Sequence, residues 1–262
     1  PLLAHSQKNW QLGFDINPSY YRYYNIADDT VTDRNVIVVQ EADIAKMPRS
    51  WSVGGRAHYM FNRHLGFVTG IRYNWSRAEF KRDFFHNNEY GLLSIDNHYL
   101  QLPIGFAITS DQRKDEVFYF NIGLAPAWHI NYRRVYEADL TYPSNNDRFT
   151  TKSVENNQYL QGFYQETRQG EVTRTEFKYE GTKYYNTFTL FAFAELGMQT
   201  KLNDVSTFFF GFNSFVTVID PEKKENWTTH MTMVGGGAPR PRTTFIHIGI
   251  QAGWMFELDS RR

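Results

Sequence analysis

Eight stretches of the chain alternate apolar and polar residues with period two, the spacing of a strand whose two faces meet different surroundings. In the first, Trp10, Leu12, Phe14 and Ile16 alternate with Gln11, Gly13, Asp15 and Asn17. The second sets Trp51, Val53, Ala57, Tyr59 and Phe61 against Ser52, Gly54, Arg56 and His58, and the third sets Leu65, Phe67, Ile71, Tyr73 and Trp75 against Gly66, Gly70, Arg72 and Asn74. The pattern returns over residues 98–108, 118–132, 188–198, 205–220 and 246–256. Three connections, at 62–64, 110–116 and 201–204, are short and polar, whereas those at about 25–49, 80–92, 134–182 and 220–241 are long.

Strict segregation of loop lengths predicts an all-β fold: an eight-stranded antiparallel up-and-down transmembrane β-barrel, with short periplasmic turns and four long extracellular loops. An even number of strands puts both termini in the periplasm. Parity alone fits a sandwich or a lipocalin-like barrel equally well, with the apolar face turned inward. Tryptophan placement favours the membrane. Trp10, Trp51, Trp75, Trp128 and Trp254 all fall on the apolar parity near strand ends, where rings that are apolar but carry a polar N–H form interfacial girdles; Tyr132 and Phe256 are expected to join them. Trp51 and Phe61 are ten steps apart, a span of roughly 25 Å for a tilted strand, which matches the height of an apolar band.

The same parity sorts "FFFGF" into two faces. Phe208, Phe210 and Phe212 are expected on lipid, where a charge at the bilayer midplane would cost roughly 2–4 kcal/mol; Phe209, Gly211 and Asn213 are expected in the lumen. Inward parity also takes Asp15, Arg56, Arg72 and Glu195, with His58, Asn74, Gln101, Asn121, His247 and Gln251. An eight-stranded interior is just wide enough for side chains to fill, and charges inside it must pair. A lumenal salt-bridge network and a plugged pore follow as expectations, with a gate or proton path as the sharper alternative.

Composition narrows the remaining classes. The 262 residues carry 28 basic and 28 acidic groups, so no strong overall positive charge favours nucleic acid, and none is expected as a partner. With no cysteine, disulfides and thiolate metal sites are excluded. Neither HExxH nor GxSxG spacing occurs, so no enzyme, metal or cofactor is expected. "VGGGAPRPR" (234–242) lacks the Lys-Ser/Thr of a phosphate loop and reads as a flexible connection. Residues 1–7, "PLLAHSQ", read as a signal-peptide remnant or a disordered terminus, 8–258 as the barrel and 259–262 as a periplasmic tail. In the third long loop, "RRVYEADLTYPSNNDRF" and "GEVTRTEFKYEGTKYY" are strand-like and charged. They suggest that the fifth and sixth strands continue above the membrane as a hairpin with its tip near 143–170. The first loop holds a second apolar run, "NVIVVQEAD" (35–43), able to pair or cover the mouth.

With the strands placed, "HYLQLPIGFAI" (His98–Ile108) resembles the Tyr-Leu-x-Ile/Leu-Pro segment of small outer-membrane β-barrels of Bacteroidota-type bacteria, the porin-family or PorT-like group. The opening "LGFDINPSYY" and closing "IGIQAGWMFEL" fit it too, although "ELDSRR" after Phe256 departs from the usual outer-membrane ending. The resemblance implies a bacterial outer-membrane location, contact with outer-membrane lipid and lipopolysaccharide, and other envelope proteins as partners. It also implies a structural or accessory role in an envelope complex, in protein secretion of the type IX kind or in outer-membrane assembly. A surface protein that captures an extracellular ligand through its long loops, and a narrow channel, are the alternatives.

Overall fold

The computed structural model describes residues 10–26, 43–83, 90–110, 115–141, 147–180, 185–221 and 242–258. These residues form twelve strands and no helix: β1 (Trp10–Ile26), β2 (Asp43–Met60), β3 (Leu65–Asp83), β4 (Tyr90–Gln101), β5 (Ile104–Thr109), β6 (Glu116–Thr141), β7 (Arg148–Asn156), β8 (Tyr159–Arg168), β9 (Glu171–Glu180), β10 (Phe188–Lys201), β11 (Ser206–Thr217) and β12 (Arg242–Glu257). All pairings are antiparallel; β1 pairs with both β2 and β12, and the pairing of β6 with β10 closes the sheet into a ring.

The ring has eight staves, and the count rises to twelve strands for two physical reasons. First, β4 and β5 share one stave of the ring: both lie between β3 and β6, and they part at Leu102–Pro103. Proline has no N–H to give the ladder; Leu102 N still donates to Pro126 O at 2.9 Å, so the stave continues past the break. The ring therefore runs β1, β2, β3, β4/β5, β6, β10, β11, β12 and back to β1. Second, the third long connection is itself a sheet. Beside β6, the partner strand is β10 up to the Trp128–Phe188 pair; beyond the rim it is β7, from Arg133–Asn156 to Thr141–Arg148. The fifth and sixth predicted strands thus do not rise together as a hairpin: β6 rises and turns back into β7, and β8 and β9 follow as further antiparallel neighbours. The β8–β9 turn is the two-residue Gln169–Gly170, with φ of 49° and 88°, the left-handed pair that matches the twist of a hairpin.

The first and second long connections are shorter than expected, because β1 runs to Ile26, β2 starts at Asp43, β3 runs to Asp83 and β4 starts at Tyr90; the last, between Thr217 and Arg242, keeps its expected length within two residues. The proposed leader remnant, most of the apolar run 35–43, the glycine-rich segment 234–241 and the tail 259–262 lie outside the described residues.

Burial follows the pleat. Along β5 exposed and buried residues alternate without a break, and the outward set carries Trp10, Phe14, Ile71, Phe106, Ile122, Leu196, Ile250 and Trp254 at 41–57% exposure as part of an apolar exterior. One step breaks the parity. His98 pairs with Asn131 but Tyr99 with His129, so Ile130 is an extra residue on β6. A bulge of this kind leaves two consecutive side chains on one side. Ile130 and Asn131 both face out, and Tyr132, expected on the outer aromatic girdle, is turned inward and is 1% exposed.

Candidate functional site: a closed lumen beneath an aromatic sheet

The interior is organised by four charges from four staves. Asp15 comes from β1, Arg56 from β2, Arg72 from β3 and Glu195 from β10, and each is at most 5% exposed. Arg72 lies between the two carboxylates. Its Nη2 is 2.8 Å from Asp15 Oδ2 and 2.8 Å from Glu195 Oε1, and its Nε donates to Asp15 Oδ1 at 3.2 Å. Arg56 completes the square, with Nη2 donating to Glu195 Oε2 and Nε 3.5 Å from Asp15 Oδ2. Two positive and two negative groups cancel, which is the condition for holding ions out of water.

Neutral polar groups occupy the remaining lone pairs. Asn121 Nδ2 donates to Glu195 at 3.0 Å and Asn17 Nδ2 to Asp15 at 2.9 Å; Asn213 Nδ2 donates in turn to Asn17 at 2.8 Å. The flat faces of the guanidiniums rest on rings, Arg56 at 4.6 Å from the Phe209 centroid and Arg72 at 5.4 Å from Phe215, a contact that attracts a cation to the π face. Gly54 makes room for Arg72: a Cβ there would sit 2.6 Å from Arg72 Cγ.

Above and below this square the lumen is filled with larger groups. Toward the short turns, Phe209 meets the edge of Tyr119, whose hydroxyl accepts from Gln251 Nε2 at 2.9 Å. Toward the long connections, Tyr99 stacks on His129 with centroids 4.4 Å apart and meets Phe191 and Phe245 edge-on, while Tyr132 and Tyr185 close the cluster from above. Asn121, Phe191, Phe209 and Phe245 are 0% exposed, and Asp15, Arg72, Glu195 and Gln251 are 1%. Side chains lining a water-filled channel would be wet. Among the described residues the barrel interior is instead dry at mid-depth.

The outward residues are placed as follows. Trp10 pairs with Tyr59 at 4.9 Å, and Trp254 lies beside Phe208 at 5.1 Å and Phe14 at 5.6 Å, near the end of the barrel that carries the short turns. Trp51 and Trp75 meet at 6.2 Å near the other end, where Trp128 contacts Phe188 at 5.9 Å. Phe210, Phe212 and Phe256 are 45–59% exposed, and Phe208 is half-buried against Trp254. Of the girdle residues named from the sequence, Tyr132 alone lies inside. Its hydroxyl donates to Glu155 Oε1 at 3.2 Å and ties the mouth of the barrel to β7.

The sheet made by upper β6 and β7–β9 has two unlike faces. One is ion-paired: Lys152 with Glu137 at 2.6 Å, Arg148 with Asp139, Arg174 with Glu176 at 2.9 Å and Lys178 with Glu180 at 3.4 Å. The other carries Tyr136, Phe149, Tyr164, Phe177 and Tyr179, and its three tyrosines are 42%, 43% and 59% exposed. The sequence marked this region as charged and strand-like, but the gathering of these five aromatic residues on one face depends on the β6–β7–β8–β9 register; Tyr159 and Phe163 lie on the ion-paired face, with Arg174 over the Phe163 ring at 4.1 Å. β9 pairs with β8 alone among the described residues, and all its residues except Phe177 are exposed.

A family model described as "Outer membrane protein beta-barrel domain" matches residues 5–215. No curated protein matches the chain. Among solved structures, the chain is similar to the attachment invasion locus protein Ail of Yersinia pestis, at 10% identity, covering 95% of this chain and 99% of that one, with a TM-score of 0.34. It is also similar to the outer membrane protease OmpT of Escherichia coli, at 6% identity, 98% and 99% coverage and a TM-score of 0.45, and to CarO of Acinetobacter baumannii, at 12% identity, 92% and 97% coverage and a TM-score of 0.30.

Proposed function

We propose, for a chain that belongs to the outer membrane protein beta-barrel domain family and hence to the bacterial outer membrane, that the barrel is a closed anchor and that its work is partner binding by the β6–β9 sheet. The observation that carries this reading is the set of three half-exposed tyrosines on one face of that sheet, above a lumen whose described residues are dry at mid-depth. Tyrosine supplies a rigid apolar ring and a polar tip at low entropic cost, which suits a protein-binding surface. The four charged groups at the centre of the lumen are paired and shielded from solvent, which argues for a non-catalytic role and against a conducting one.

In this reading the long-connection end faces outward and both chain ends face the periplasm. The apolar exterior, with Phe208, Phe210 and Phe212 on it, contacts lipid, and the tryptophans mark the two interfaces. Narrower kinship with the Bacteroidota porin-family group belongs to the same proposal. So does a partner drawn from an envelope complex for secretion or outer-membrane assembly; a ligand from outside the cell is the other partner that such a face accepts.

A photo-crosslinking amino acid at Tyr164 or Tyr179, compared with one at Lys152 or Glu176 on the opposite face, tests it in intact cells. Specific crosslinks should form from the tyrosine positions and be lost when residues 147–180 are replaced by a short linker, with heat-modifiable gel mobility of the barrel retained. Equal crosslinking from both faces, or partners unchanged after the replacement, would overturn the reading. The identity of the crosslinked protein then separates an envelope subunit from an external ligand.

A further inference from the structure

One tier of the outer surface carries a concentration of charge. Directly above the Trp51–Trp75 pair, Arg49 on β2 stands opposite Arg77 on β3; Arg77 stands opposite Asp96 on β4, and Asp96 opposite Arg133 on β6. All four lie on the outward face. On β1 and β12 the same tier continues as Tyr20 and Ile248, so the charge is confined to one sector of the barrel.

Like charges directly opposite on neighbouring strands disfavour the fold, and this tier holds three guanidiniums against one carboxylate. Arg77 is held by Glu79, with Nη2 3.0 Å from Oε1, and its Nε lies 3.8 Å from Asp96. Arg49 and Arg133 are exposed and form no ion pair among the described residues. Below them the outward surface passes to tryptophan and then to Val53, Tyr73 and Leu100, in register across β2, β3 and β4. Apolar surface, then tryptophan, then arginine is the order in which a strand meets acyl chains, the interface and headgroups.

We propose that Arg49, Arg77 and Arg133 bind the phosphate of an anionic outer-leaflet lipid whose acyl chains run down the Val53–Tyr73–Leu100 surface. Guanidinium forks suit phosphate because two parallel N–H groups match two oxygens. The inference rests on the reading that the long-connection end faces outward, since that end decides which leaflet supplies the headgroup.

Purified full-length protein in nonionic detergent, verified as folded by heat-modifiable mobility, is titrated with lipid A, with lipid A stripped of its phosphates, and with inorganic phosphate as competitor. Lipid A should bind, and the stripped form should bind at least about tenfold more weakly. The Arg49→Gln/Arg133→Gln pair should lose a similar factor, while Lys201→Gln, near the opposite end, should leave binding unchanged. Equal binding of the stripped lipid, undiminished binding by the double variant or an equal loss in Lys201→Gln would overturn the site. Displacement by inorganic phosphate at the concentrations at which lipid A itself binds would overturn the lipid as its occupant. Protease access to the β6–β9 sheet in whole cells tests the orientation separately, so the two failures are distinguishable.

Discussion

Arg72 and Glu195 are 123 positions apart in the chain and 2.8 Å apart in the lumen. Asp15 lies at the same distance on the other side of the same nitrogen, and Arg56 closes the square. The arrangement holds only while all four groups are present, because removing one leaves a buried charge without its counter-ion.

Glu195→Gln should therefore destabilise the barrel by about 3–5 kcal/mol, read as a lowered urea midpoint of heat-modifiable protein in micelles. Adding Arg56→Met should restore part of that loss, because the surplus positive charge goes with it. A single variant within about 1 kcal/mol of the parent would contradict a tightly coupled square.

The packed lumen predicts electrical silence. Protein refolded into planar bilayers should give no steady current steps at either polarity. Reproducible unitary steps from folded protein would mean that the Phe209, Tyr119 and Phe191 layers open.

The bulge at Ile130 predicts a chemical pattern that uninterrupted parity does not. The chain has no cysteine, so single substitutions report cleanly. Asn131→Cys should react with a membrane-impermeant maleimide, and Tyr132→Cys should be protected. Removing Ile130 as well should leave that pattern unchanged, because the shortened strand then alternates regularly in the register it already has with β4. Labelling at position 132 but not 131 would show the opposite facing.

The tip of the sheet should loosen in acid. Hydrogen bonds from Arg148 hold the Asp139 carboxyl below the ordinary carboxylate range. A lowered folded-state value means that the pair's stabilisation is present above the unfolded value of about 3.9 and is lost as pH falls through the folded one. Amide exchange of the β6–β7 tip, corrected for its intrinsic rate, should quicken below about pH 4, and Asp139→Asn should flatten that dependence. An unchanged pH profile in the variant would assign the effect elsewhere.

Much of this was legible in the chain. Alternation along a strand is a local property of the pleat, so Asp15, Arg56, Arg72 and Glu195 could be assigned to one face, and Phe208, Phe210 and Phe212 to the other, before any pairing was known. Loop lengths indicated a barrel for a related reason: closing antiparallel strands needs only a few residues at one end. Tyr132 was misassigned because parity counting assumes that no residue is inserted, and nothing in "WHINYRRV" marks Ile130 as extra. The bulge exists only relative to β4.

Register across strands was beyond the sequence, and the features with functional weight depend on it. Pairing with β7 in place of β10 above the rim turns a charged loop into a sheet that gathers Tyr136, Tyr164 and Tyr179 on one face. Pairing across β2, β3, β4 and β6 brings Arg49, Arg77 and Arg133 to one height. The same closure makes four separate charges a neutral square. What the sequence determined by itself was the direction of each side chain, since that is set within a strand; which side chains meet was decided by the partner strands, whose hydrogen bonds set the offset between distant segments.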